Sequence, residues 1–315
     1  MTETTVNRPR SGRRQAASVR KAAKPARSGS VLGLSTTDFH EIAYVEWGPE
    51  KDDVPVLCVH GLTRQGRDFD HLAADLARRG RRIVCPDLPG RGRSQSLSDP
   101  ADYALPQYCA DMNALIARLG VSQVDWVGTS LGGLIGIVLA GLPGSCIRRL
   151  VVNDIGPYVS SVGLLRIGAY LGDMPRSFVT FARAERYFRD ILAPYGNLSD
   201  EQWRHITEHS VRWDETRAVF SMLCDREIAR AFRNPWLVSL NLWKYWERIS
   251  APTLVLHGAK SDLLTHELCD EMLERNANAT LHRFDECGHV PPLFEPHQIK
   301  IVTDFLTERR PAAPD

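Results

Sequence analysis

The sequence predicts an α/β fold: a mostly parallel central sheet flanked by helices, with one inserted helical cap. Three observations carry this expectation. Short runs rich in Val, Leu and Ile end at Gly, Asp or Pro, as expected of strands covered on both faces. Segments with helical periodicity lie between them. Successive runs start roughly 26–42 residues apart, the size of a βαβ step, except across one gap of about 100 residues.

In chain order, residues 1–30 come first. They hold eight basic residues (Arg8, Arg10, Arg13, Arg14, Arg20, Lys21, Lys24, Arg27) against one acidic residue, Glu3. Large apolar side chains are almost absent, so ordering entropy has nothing to offset it, and the segment reads as a disordered basic tail. Organelle targeting and a polyanion or surface tether are the alternatives. Phe39–Trp47 reads as edge strands. The runs Val54–His60, Arg82–Cys85, Val124–Val127, Leu150–Val152, Thr253–His257 and Thr280–Phe284 follow as sheet strands. Helices are expected around Asp68–Arg79, Gln107–Leu119, Leu131–Ala140, His266–Arg275 and Gln298–Arg309. The core is therefore 31–155 plus 251–315, and the cap is 156–250. That insertion holds 15 of the 25 Phe, Trp and Tyr residues, and Ser199 with Gln202 forms a capping-box pattern ahead of Trp203.

The overall charge of +1 hides an asymmetry: residues 31–315 carry 31 basic and 37 acidic residues. A body at −6 has no basic field with which to gather nucleic acid. No run approaches the length of a membrane span, and no apolar segment follows the basic N-terminus as in a secretory signal. The seven cysteines lack metal-site spacing and read as reduced core thiols, which points to the cytoplasm, or to an organelle if the tail targets one.

The chemistry centres on Gly128-Thr129-Ser130-Leu131-Gly132, a G-x-S-x-G motif that ends an expected strand and opens an expected helix. A serine at such a turn is exposed, and the helix N-terminus offers amide donors to developing negative charge. A serine nucleophile needs a base, and the base needs an orienting acid. Asp262, after the strand in TLVLHGAKSD, and His289, after the strand in TLHRFDECGH, supply both in the order Ser, Asp, His. Asp154, in NDIGP, is the alternative acid; a turn aspartate satisfying local amides is its structural reading.

Together with His60-Gly61-Leu62 and the segment DLPGRGRS from Asp87 to Ser94, these motifs make residues 36–310 resemble the α/β-hydrolase superfamily. The resemblance implies Ser130 as nucleophile, His289 as general base and then acid, and Asp262 as the orienting acid. Some members carry that acid one strand earlier, where Asp154 stands. The oxyanion hole would use the backbone N–H groups of Leu62 and Leu131. No cofactor and no metal is implied. Ester hydrolysis of a small or medium substrate, lactones and hydroxy-acid oligomers included, is the leading expectation. Carbon–carbon bond hydrolysis of a dienone-type metabolite, and thioester, amide or perhydrolysis chemistry on the same triad, are the alternatives.

Other features have plainer readings beside the functional ones. His205-Ile206-Thr207-Glu208-His209 matches an inverted zinc-protease string but is expected to be an ordinary helix face. Gly90–Ser94 lacks the phosphate-loop Lys and reads as a turn. Arg64 is a candidate for binding a substrate carboxylate, weighed against an ion pair of Arg64 or Arg67 with Asp68 or Asp70. Tyr158, Tyr170, Trp213 and Trp243 are candidate pocket aromatics by position alone.

Overall fold

The computed structural model describes residues 24–232 and 238–308. Most of the basic tail, residues 1–23, lies outside the described residues. The tail's last part does not: β1 (Arg27–Leu34) pairs antiparallel with β2 (Phe39–Trp47), with Arg27 opposite Glu46 and Leu34 opposite Phe39. The folded body thus includes Arg27–Ser30, ahead of the expected boundary at 31. This strand has little apolar content because one face is open to solvent, and its main-chain ladder ties it to β2.

The next elements match the expected alternation: β3 (Val56–Val59), α1 (Asp70–Arg78), β4 (Ile83–Pro86), α2 (Leu105–Leu119), β5 (Val124–Thr129), α3 (Leu131–Ala140) and β6 (Ile147–Asn153). The insertion carries β7 (Tyr158–Val159), α4 (Ser161–Gly172), β8 (Ser177–Phe178), α5 (Phe181–Ile191), α6 (Asp200–Ser210), β9 (Val211–Asp214), β10 (Val219–Met222), β11 (Leu240–Asn241) and α7 (Trp243–Trp246). The core resumes with β12 (Thr253–Gly258), α8 (His266–Arg275), β13 (Ala279–Phe284) and α9 (Pro296–Thr307).

The main sheet has the order β1-β2-β4-β3-β5-β6-β12-β13. The strands from β4 to β13 run parallel; β1 and β2 are antiparallel. From β4 to β12 in that order both faces are covered, which explains the uninterrupted apolar runs there. One face holds Leu57, Met112, Trp126, Ile135 and Val152 under α2 and α3; the other holds Cys58, Leu72, Leu76, Val151 and Val302 under α1 and α9. All seven cysteines are free thiols, six of them buried.

The insertion is not purely helical. It contains a three-stranded antiparallel sheet, β8-β10-β9, and the short pair β11-β7. Asp214 pairs with Val219 and Trp213 with Phe220 across a hairpin whose strands alternate too briefly to stand out in the sequence. Its helix caps are as read: Ser199 and Gln202 form a reciprocal capping box at α6. Its core, with Phe188, Tyr195, Trp203 and Ile206, also packs Val290 and Phe294 from the loop after β13.

Candidate active site

Ser130 stands between β5 and α3 with φ 49° and ψ −110°, a conformation that L residues seldom adopt. The flanking glycines make that turn possible. A Cβ on Gly128 would run into the carbonyl of Gly132, and a Cβ on Gly132 would run into the carbonyl of Val59. Trp126, fully buried beneath the turn, donates from Nε1 to Gly132 O at 3.0 Å and holds the first turn of α3 in place. The amide of Ser130 donates to Asn153 O at 2.9 Å, joining the ends of β5 and β6. Asn153 Nδ2 adds bonds to Thr129 Oγ1 at 3.1 Å and Pro291 O at 2.9 Å. The loops after β5, β6 and β13 are thereby stitched into one unit.

His289 Nε2 lies 3.2 Å from Ser130 Oγ, hydrogen-bond contact with room to shorten on substrate binding. His289 Nδ1 lies 2.7 Å from Asp154 Oδ2. The carboxylate facing His289 is therefore Asp154, not the expected Asp262. Asp154 is fully buried, at the end of β6 beside β5. Its oxygens accept from Gly258 N at 2.7 Å and Ser261 Oγ at 2.6 Å. These donors satisfy a buried charge that would otherwise be costly. Asp262 turns the other way. Its side chain is 62% exposed and pairs with Arg166 Nη2 at 3.0 Å. In the turn after β12 the inward position belongs to Ser261, so Asp262 cannot face the imidazole.

Gly61 and Leu62 approach the serine from the turn after β3; a Cβ on Gly61 would lie 3.6 Å from Ser130 Cβ. His60 aims that turn. Its Nε2 accepts from Leu88 N at 2.8 Å, so its Nδ1 carries the proton and donates to Gly61 O at 2.7 Å. Burial pushes His60 down to about 3, and it stays neutral. Arg91, also buried, donates to Leu62 O at 2.8 Å, Pro89 O at 2.7 Å and Tyr108 Oη at 2.9 Å. The Gly90–Ser94 segment thus anchors the Leu62 turn. Leu131 opens α3, where the first amides have no intrahelical acceptor.

The cleft around Ser130 and His289 has a volume of about 270 Å³. The insertion walls it with Ile167, Tyr170, Ile191, Leu192 and Tyr195. Of the four candidate aromatics only Tyr170 lines it. Tyr158 reaches Ser239, Trp213 is half exposed against Phe220, and Trp243 stacks under Arg275. Arg64 touches the cleft, but its guanidinium is committed: Nε and Nη2 grip Asp68 at 2.7 and 2.6 Å, and Nη1 donates to Ser210 at 3.0 Å. It is an ion-pair bridge to α6 rather than a free substrate contact.

Among the described residues, Asp70, His205 and His209 are the group that could hold a metal, with ligand atoms within 4.8 Å of one another. Arg67 already occupies the Asp70 carboxylate, with Nε at 2.8 Å from Oδ1 and Nη2 at 2.5 Å from Oδ2. None of the three lines the Ser130 cleft.

Comparison with known proteins agrees with this architecture. A family model described as the alpha/beta hydrolase fold matches residues 54–296. The chain belongs to the α/β-hydrolase family. It is 42% identical over 288 residues to a 3-hydroxybutyrate-oligomer hydrolase of Cupriavidus necator, covering 89% of this chain and 98% of that one. It is 28% identical over 265 residues to a 2-hydroxymuconate semialdehyde hydrolase of a Pseudomonas species, covering 82% and 89%. Among solved structures, an α/β hydrolase from Novosphingobium aromaticivorans superposes with a TM-score of 0.76 at 31% identity, covering 89% and 98%.

Proposed function

We propose that this hydrolase cleaves carboxylic esters through an acyl-enzyme on Ser130, with short hydroxy-acid oligomers as the substrate class. The observation that carries the reading is the continuous contact from Ser130 Oγ through His289 to Asp154, at the floor of a mainly apolar cleft. The 3-hydroxybutyrate-oligomer hydrolase, similar over almost its whole length, supports the substrate class.

Each step is assigned to a group of this chain. Ser130 Oγ attacks the ester carbonyl as His289 Nε2 takes its proton. Asp154 holds the Nδ1–H tautomer and stabilises the imidazolium. The tetrahedral oxyanion is received by the N–H groups of Leu131 and Leu62, each donor being worth ~3–4 kcal/mol in comparable sites. His289 then protonates the departing alkoxide. Water, deprotonated by the same nitrogen, releases the acid and restores Ser130. The 156–250 segment serves as a cap that lines the acyl and alcohol pockets. The full constellation makes a cofactor unnecessary for this reaction.

Carbon–carbon bond hydrolysis is the second reading, favoured by the 2-hydroxymuconate semialdehyde hydrolase relative. A fluorophosphonate probe tests the nucleophile: it labels Ser130 in the native protein and fails in Ser130→Ala, which also loses turnover of 4-nitrophenyl butyrate. No labelling, or full turnover by Ser130→Ala, contradicts the proposal. Turnover of a dienone substrate with inert esters selects the second reading.

A further inference from the structure

With His289 held by Asp154, Asp262 is released from the reacting chain, and its actual partner is informative. Arg166 Nη2 lies 3.0 Å from Asp262 Oδ2 in an ion pair and donates to the Asp262 carbonyl at 3.3 Å. Arg166 comes from α4 of the insertion and Asp262 from the turn after β12. Both line the cleft that contains Ser130 and His289, and both are more than half exposed, so the pair sits at its rim.

Among the described residues, two arginines line this cleft. Arg64 is buried and uses both edges of its guanidinium on Asp68 and Ser210. The hydrogen bond and the ion pair described for Arg166 both use Nη2. Apart from the Asp262 carboxylate and His289, the remaining lining is uncharged. Such a cleft suits a ligand with an apolar body and one anionic end, because a planar guanidinium matches a carboxylate in bidentate geometry.

We propose that Arg166 is a specificity-determining residue that recognises a free carboxylate on the substrate, so that the site prefers short acidic esters to neutral ones. Asp262 holds the guanidinium over the cleft between turnovers, and the substrate carboxylate takes its place. This rests on the ester-hydrolase reading and narrows it to substrates carrying a terminal acid.

The test compares the linear 3-hydroxybutyrate dimer, which has a free carboxylate, with its methyl ester, using the full-length protein. The ratio of kcat/KM for acid over methyl ester should exceed one and should fall as salt is raised, since a rim ion pair is screened. Arg166→Gln should lower that ratio about tenfold, mainly through KM, and Arg166→Lys should recover part of it. An unchanged ratio in Arg166→Gln, or a salt-independent wild-type ratio of one, overturns the proposal. The salt series on the wild type decides the matter if Arg166→Gln fails to fold. Wild-type turnover of 4-nitrophenyl butyrate without an acid preference defeats this inference alone. Absence of turnover of any ester defeats the reading beneath it.

Discussion

Ser261 and Asp262 are neighbours in one turn and face opposite ways. Ser261 Oγ donates to Asp154 Oδ2 at 2.6 Å, while the Asp262 carboxylate meets Arg166 at the surface. Ser261 is therefore a positioning residue for the acid. Ser261→Ala should lower kcat for 4-nitrophenyl butyrate about five- to tenfold with little change in KM, consistent with a lost hydrogen bond to a charged group. A variant with native kcat would show that Gly258 N alone suffices to hold Asp154. The same turn explains what the sequence concealed. Asp154 and Asp262 both satisfy the order Ser, Asp, His, and both follow parallel strands on the same side of the nucleophile's own, Asp154 one strand away and Asp262 two. What separates them is which residue of a tight turn points inward, and residue type does not encode that. Ser130 was legible because a G-x-S-x-G turn leaves the chain little choice, and His289 because Gly288-His289 follows the last expected strand. His60 and Arg91 stand in motifs that carry the resemblance, but their part in holding the Leu62 turn is not legible in sequence, because it rests on bonds to the backbone rather than on contact with the reacting atoms.

Elements were legible in proportion to their burial. Strands β3, β4, β5, β6 and β12 are covered on both faces and announce themselves as apolar runs, whereas the edge strand β13 is only partly covered. Strand β1 does not announce itself, because one of its faces is exposed while its main chain pairs along β2. Its Gly33 marks a close approach instead: a Cβ there would collide with His40 and Asp111, which are paired at 3.0 Å. A cut at residue 30 would split this strand, so the informative truncations lie either side of it. Removal of residues 1–23 should leave ester turnover and thermal stability near native values. Removal of residues 1–34 strips the ladder from β2 and exposes a strand edge, and should lower Tm by several degrees and promote aggregation in a melting and light-scattering assay. Equal Tm values for the two truncations would show that β1 adds nothing to the body.

For the molecule as a whole, assigning Arg27 to the folded body leaves 32 basic and 37 acidic residues from position 27 onward, still a mildly acidic body. No helix among the described residues is long and apolar enough to cross a membrane. Acid sensitivity should come from buried and half-buried neutral histidines. Burial holds His60 and His209 down to about 3 and His71 down to about 4, against an ordinary value of 6.5. Below pH 6.5 the unfolded chain takes up protons that the folded chain refuses. Stability is therefore lost progressively as pH falls from about 6.5 toward 3–4, at up to ~1.4 kcal/mol per unit and histidine. Urea unfolding across that range should show a falling midpoint, and His60→Gln should flatten the slope. A midpoint independent of pH over the window would contradict the burial of these rings.

The most direct test of the site compares Asp154→Asn with Asp262→Asn on 4-nitrophenyl butyrate. Each folded variant is first checked for fluorophosphonate labelling. If Asp154 orients His289, Asp154→Asn should lose kcat by about 10³–10⁴-fold through the wrong imidazole tautomer, whereas Asp262→Asn should lose less than tenfold. The reverse order, with Asp262→Asn inactive and Asp154→Asn near native, would contradict the Ser130–His289–Asp154 assignment outright.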